Sequence, residues 1–205
     1  PLVQGNARIE AGGKQRRSNV FGVGPALPQV WRIGVDIGRF LPEEGADNAR
    51  PFAVLGSKVR QELFGEASPL GQRIRIGSDR FRVVGVMRSK GQMLGFDLDD
   101  TVFIPSARAM EMFDRQGLME IDVLYRGDAS AERVEQAVKQ RLLARHGAED
   151  FTIVTQNQML EKMDSVLSVL TLAVAALGGI SLLVGSVGIL TIMTIAVSER
   201  VAEIG

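Results

Sequence analysis

The chain has 205 residues, with 24 Lys and Arg balancing 24 Asp and Glu, and no cysteine. That balance excludes the broad basic field of a nucleic-acid binder, and the missing cysteines exclude disulfides, thiolate metal sites and cysteine nucleophiles together. The length suits one medium soluble domain plus a membrane segment, or two small domains.

The N-terminus, Pro1-Leu2-Val3-Gln4, carries neither an initiator Met nor a signal peptide, and the other end stops at Glu203-Ile204-Gly205. Both ends read as cut. The expectation is a piece of a larger polytopic protein, with a membrane span upstream of Pro1.

Residues 1–30 are punctuated by Gly12-Gly13-Lys14 and Gly22-Val23-Gly24-Pro25, which leaves short strands near Leu2–Ile9 and Val20–Val23. Pro28–Ile33 reads as a helical turn or two before a break at Gly34–Gly38. Phe52-Ala53-Val54-Leu55 is a short apolar run ended by Gly56, the pattern of a buried strand. Ser57 is the expected N-cap of a helix over Lys58–Phe64, with Val59 and Leu63 at i, i+4 and Gly65 as its stop. Ser68-Pro69 turns the chain. Gln72–Ile76 and Arg80–Val86 alternate polar and apolar around Gly77-Ser78-Asp79, which predicts a hairpin.

Gly91–Asp100 reads as a loop holding Met93, Leu94 and Phe96, and Val102–Ile104 as a strand stopped by Pro105. Ser106 is the expected cap of a helix carrying Ala109, Met110 and Phe113. Ile121–Tyr125 reads as a strand, and Ser130 as the cap of a longer helix to His146, ended by Gly147. Phe151–Val154 is the last predicted strand. Strand and helix recur with hairpins between, so the expected class is α+β, a mixed sheet with helices covering one face.

Candidate chemistry is sparse. His146, the only histidine, sits in a last helical turn, where a cation suits the macrodipole. Gly13-Lys14 is followed by Gln15 and makes no Walker A pattern; Gly22-Val23-Gly24 lacks the third glycine of a dinucleotide fingerprint. Asp97-Leu98-Asp99-Asp100 lacks the glycine and terminal Glu of an EF-hand and reads as a solvated loop edge. Arg16-Arg17 near Lys14 reads as solubilising charge. No nucleophile, base or metal cluster is legible, so the chain is read as a non-enzyme without cofactors.

From about Asn157 a helix is expected to run into the membrane. Gln158–Asp164 is amphipathic, and Val166–Val197 then supplies 32 consecutive residues without Asp, Glu, Lys, Arg or His. About 20 apolar residues cross a hydrocarbon core, so the run spans lipid with residues to spare. Ala175, Gly178, Ser181, Gly185 and Gly188 share one broad helix face, a candidate packing surface for partner helices. Charge returns at Ser198-Glu199-Arg200.

Several stretches together resemble the MacB/FtsX superfamily of ABC-transporter permeases. They are Gly38-Arg39-Phe40; Ala53-Val54-Leu55-Gly56 with Leu63-Phe64-Gly65; Ser68-Pro69-Leu70-Gly71; Phe81-Arg82-Val83-Val84-Gly85-Val86; Val102-Phe103-Ile104-Pro105; and Ile180–Gly185 with Glu199-Arg200 and Glu203-Ile204-Gly205. The resemblance implies an extracytoplasmic domain over residues 1–155, built of Porter-like βαβ units with an inserted β-rich subdomain. Residues 156–198 follow as stalk plus transmembrane helix, and 199–205 as the start of a cytoplasmic coupling segment.

It also implies a permease subunit of the bacterial inner membrane. Such a subunit transmits ATP-driven motion outward to export or extract a drug, peptide or lipoprotein. Glu199, Arg200, Glu203, Ile204 and Gly205 would touch the ATPase, although Val201-Ala202 departs from the Thr and Arg often seen there. The implied partners are a cytoplasmic ABC ATPase, a second permease in a homo- or heterodimer, lipid, and a periplasmic or outer-membrane protein. A single-pass sensor with an extracytoplasmic ligand-binding domain is the rival expectation.

Overall fold

The computed structural model describes residues 1–45, 49–93 and 95–204, in two compact units, Pro1–Leu124 and Tyr125–Gly205. The first unit opens with β1 (Leu2–Ala11) and β2 (Lys14–Val23), paired without a slip from Leu2↔Val23 to Ala11↔Lys14. Their turn is Gly12-Gly13, at φ +55 and +80. Two successive positive φ angles favour glycine, and they match the twist of the flanking strands. The hairpin is therefore longer than the two short strands expected: the polar stretch Lys14–Asn19 joins because its ladder needs only backbone partners.

The remaining elements of this unit are α1 (Leu27–Val30), β3 (Val35–Gly38), β4 (Phe52–Leu55), α2 (Ser57–Phe64), β5 (Arg73–Ile76) and β6 (Asp79–Met87). A small ladder follows, β7 (Gln92–Met93) with β8 (Phe96–Asp97), then β9 (Thr101–Pro105) and α3 (Ser106–Met112). β3 occupies the expected break at Gly34–Gly38, pairing with the end of β6 across a bulge. The caps also differ from expectation: Ser57 and Ser106 are first helical residues, preceded by Gly56 and Pro105 as N-caps.

The strand order is β3-β6-β4-β9-β2-β1-β5. β2–β9 and β4–β6 run parallel, the other pairs antiparallel, which makes the sheet mixed and the class α+β, as expected. β5 bonds to both β1 and β6, so six strands close into a ring and β3 stands beside it. Closure removes the edges that β5 and β6 would otherwise leave open.

Burial alternates across the central strands. Ala53 and Leu55, Val102 and Ile104, and Val20 face inward with Ile9, Ile74, Ile76, Phe81 and Val83, beneath Val59 and Leu63 of α2 and Ala109 of α3. Val54, Phe103 and Phe21 face the opposite way, with Leu27, Ile33, Leu41 and Leu98. On that side Phe21 meets Trp31, Phe96 and Phe103 edge-on, at 5.6–6.0 Å between centroids. Strands buried on both faces read as continuous apolar runs, which is why β4 and β9 were visible in the sequence.

Polar groups fasten the layers. Arg16, expected to be solubilising, is largely buried: it pairs with Glu62 of α2 and reaches Asp100 at 2.5 Å and Ser18 at 2.8 Å. The Ser18 hydroxyl donates to Asp100 at 2.7 Å. Asp97-Leu98-Asp99-Asp100 is likewise no solvated edge. Asp97 caps a 3-10 turn over Leu98–Asp100, while Asp99 accepts from the Ser89 hydroxyl at 2.6 Å and the backbone N–H groups of Lys90 and Gly91 at 2.9 and 3.2 Å.

In the second unit, α4 (Ala131–His146) has the expected cap, Ser130 accepting from the Arg133 N–H, and the expected left-handed stop at Gly147. α5 (Gln156–Ile204) follows. The strands expected at Ile121–Tyr125 and Phe151–Val154 do not form. Among the described residues the ladder beside the first of them ends at the Leu2↔Glu120 bridge, and an apolar alternation without a neighbouring strand stays extended and exposed.

Two outcomes follow from this packing. A Cβ on Gly22 overlaps that of Ala109, where α3 lies on β2, so Gly22→Ala costs about 1–3 kcal/mol by denaturant unfolding and Ala109→Gly in the same chain restores part of it. Burial pushes the Asp99 carboxyl up, but the bonds from Ser89, Lys90 and Gly91 outweigh it and leave its pKa lowered. A lowered native pKa stabilises above the ordinary carboxylate range and the benefit is lost as pH falls through the native value. The Lys90 and Gly91 amide resonances therefore titrate with a midpoint below the ordinary carboxylate range, and Asp99→Asn abolishes the transition.

Candidate functional site

The feature with the capacity to act is α5. It begins with a reciprocal capping box: the Gln158 N–H donates to Thr155 Oγ1 at 3.3 Å and the Thr155 N–H to Gln158 Oε1 at 3.4 Å. The sequence reading started the helix near Asn157 and overlooked this Thr-x-x-Gln signal. From there the helix is continuous for 49 residues, about 74 Å at 1.5 Å per residue.

Gln156–Ser198 is long and apolar enough to cross a membrane. The large apolar side chains stand exposed on every side, from Met159 at 45% to Leu182 at 74%. A helix apolar all round needs lipid or other helices as its solvent. Leu, Ile and Val fill more than half of Val166–Val197, and at about 0.3–0.6 kcal/mol each they favour insertion by roughly 5–10 kcal/mol.

Six hydroxyls along the helix are satisfied within it. Thr171, Ser181, Ser186, Thr191 and Thr194 each donate to the carbonyl four residues back, at 2.8–2.9 Å, and Ser198 to that of Ile195. In hydrocarbon an unpaired hydroxyl is costly, and this local bond removes the need for a partner elsewhere.

Ala175, Gly178, Ser181, Gly185 and Gly188 fall on one side of α5 within an arc of about 140° at 100° per residue. Among the described residues a Cβ added at Gly178, Gly185 or Gly188 meets nothing within 4 Å. Glu199, Arg200, Glu203 and Ile204 continue the helical backbone beyond Ser198, and Gly205 lies outside the described residues. Among the described residues there is no cluster of three or more His, Cys, Asp or Glu fit for a metal. His146 lies in the last turn of α4 as expected, its Nδ1 2.7 Å from Asp150.

A family model, the MacB-like periplasmic core domain, matches residues 1–141. The macrolide export ATP-binding/permease protein MacB of Bdellovibrio bacteriovorus is 32% identical over 212 residues, covering 100% of this chain and 33% of the relative. The pyoverdine export ATP-binding/permease protein PvdT of Pseudomonas syringae pv. syringae is 34% identical over 209 residues, covering 100% of this chain and 32% of the relative. The chain thus spans about a third of the length of these curated relatives, and the similarity runs through α5. The crystal structure of the periplasmic region of MacB from Actinobacillus actinomycetemcomitans superposes with a TM-score of 0.65 at 21% identity, covering 80% of this chain and 74% of that one, a likeness of fold.

The capping box makes a local prediction. Thr155→Ala removes the bond that its hydroxyl accepts from the Gln158 N–H and costs about 1 kcal/mol at the helix start, seen as faster amide exchange at Asn157 to Met159 with α4 unaffected.

Proposed function

We propose, from the premise that this chain belongs to the family of MacB-like periplasmic core domains, that it is part of the permease of an ABC transporter. In this reading residues 1–155 lie outside the bacterial inner membrane, 156–198 form a stalk and transmembrane helix, and 199–205 begin a cytoplasmic coupling segment. The work done outside is export, the activity that the names of the relatives state of them for macrolides and pyoverdine.

The observation that carries this reading is the continuity of α5. A single hydrogen-bonded helix leads from a capped start, through an uncharged run, to a tip bearing Glu199, Arg200 and Glu203. A helix without an internal break moves as a rod, so a displacement of its foot reaches its head. The run holds no ionisable residue, so it offers no relay for ions or protons and is suited to transmitting motion instead.

The ATPase that drives the foot is a separate chain or lies in the part of the protein this chain does not span. Glu199, Arg200, Glu203, Ile204 and Gly205 are the residues proposed to meet it. The face of Ala175, Gly178, Ser181, Gly185 and Gly188 is proposed to receive a neighbouring helix, from the same permease or a second one, because helices in lipid associate by close backbone approach. A periplasmic or outer-membrane protein would complete the route.

Charge reversal at the foot tests the proposal. In the full-length protein in proteoliposomes, Glu199→Lys with Glu203→Lys leaves insertion intact and lowers both substrate-stimulated ATP hydrolysis and export by about tenfold or more. Unchanged export and unchanged stimulation would remove the coupling role.

A further inference from the structure

The outward face of β1, β2, β5 and β6 carries a grid of guanidinium groups. On these strands Ile9, Ile74, Ile76, Phe81 and Val83 are buried inward. The period of two therefore turns Arg8, Arg17, Arg73, Arg75, Arg80 and Arg82 outward, where each is exposed. The register sets Arg8 opposite Arg17, Arg73 opposite Arg82 and Arg75 opposite Arg80. Like charges directly across a ladder destabilise it, and here three such pairs adjoin.

Little on the face offsets them. Glu10 stands opposite Arg75, with its carboxylate 3.8 Å from the guanidinium. Among the described residues Arg8, Arg17, Arg73, Arg80 and Arg82 have no carboxylate within 4.0 Å. Surfaces shaped only for solubility intersperse both signs. This chain is balanced overall at 24 against 24, while this one face holds six arginines and one glutamate. At its end the Gly12-Gly13 turn, Lys14, Arg73, Arg75 and Arg80 border a shallow open concavity of about 550 Å³.

We propose that this face docks an acidic protein surface, whose Asp and Glu carboxylates seat in the arginine forks. Guanidinium groups take carboxylates two bonds at a time, with a geometry lysine does not offer. The sheet holds the arginines on a fixed grid, about 4.5–5.5 Å apart across strands and about 6.6–6.8 Å apart along them. Carboxylates carried on another ordered backbone match such a grid. A lipid surface is the poorer fit, because the outward residues interspersed on β1 and β2, namely Asn6, Glu10, Gln15 and Asn19, give nothing apolar to enter the acyl layer. The proposal is independent of the coupling role of α5 and assigns a partner to a face that role does not use.

The test uses the whole chain in a non-ionic detergent with a labelled polyglutamate peptide as probe. The peptide binds, more weakly as salt rises. The combined Arg73→Glu, Arg75→Glu, Arg80→Glu and Arg82→Glu variant weakens binding about tenfold or more, while Arg133→Glu with Arg141→Glu and Arg145→Glu on α4 leaves it unchanged. Arg73→Gln with Arg82→Gln, which keeps the fold, weakens binding several-fold and raises the thermal midpoint by relieving one like-charge pair. Equal binding by wild type and both β5–β6 variants overturns the proposal. So does a lowered midpoint in the glutamine variant, which makes the arginines structural. Binding to phosphatidylglycerol vesicles through these arginines without binding to polyglutamate overturns it in favour of a membrane contact.

Discussion

Water is a poor solvent for α5, and that constraint governs the chain. Its apolar side chains have no covered face, so the helix is stable only where hydrocarbon or other helices surround it. The backbone meets the same demand by satisfying every interior N–H and C=O within the helix, and the hydroxyls of Thr171, Ser181, Ser186, Thr191 and Thr194 add their own bonds to the preceding turn. The uncharged run is therefore coherent at two levels, side chain and backbone. A break or a stray charge within it would cost several kcal/mol and undo that agreement.

The other unit solves a different problem, a small sheet that must bury two faces. Closing the strands through β5 lets α2 and α3 seat on the inward side, while the aromatic group around Phe21 and Phe103 fills the other. Where apolar burial is interrupted, charges are paired rather than exposed. Arg16, Glu62, Asp100 and Ser18 tie β2, α2 and the loop before β9 into one network. The acidic run around Asp99 serves to hold the backbone at Lys90 and Gly91, which leaves those carboxylates engaged by the protein itself.

These two solutions place different kinds of chemistry at different places. The helix supplies length and continuity, not reactive groups. The sheet supplies a rigid lattice whose outer surface is free to carry charge, and on β1, β2, β5 and β6 it carries it at a cost to its own stability. Both belong to a chain of the MacB-like periplasmic core domain family.

What was legible in the sequence follows from how local each signal is. The membrane run, the β5–β6 hairpin, the apolar strands β4 and β9, and the cap and stop of α4 were readable because each depends on neighbours within a few residues. The Thr155–Gln158 box was equally local and was passed over. By itself the sequence determined the class of the fold and the membrane helix. Only the tertiary structure decided that β5 closes the ring, that Arg16 is buried against Glu62 and Asp100, that Ile121–Tyr125 finds no strand to join, and that six arginines meet on one surface. Those outcomes depend on which distant strands become neighbours, and pairing across a sheet is set by closure of the whole core, which no short stretch of sequence contains.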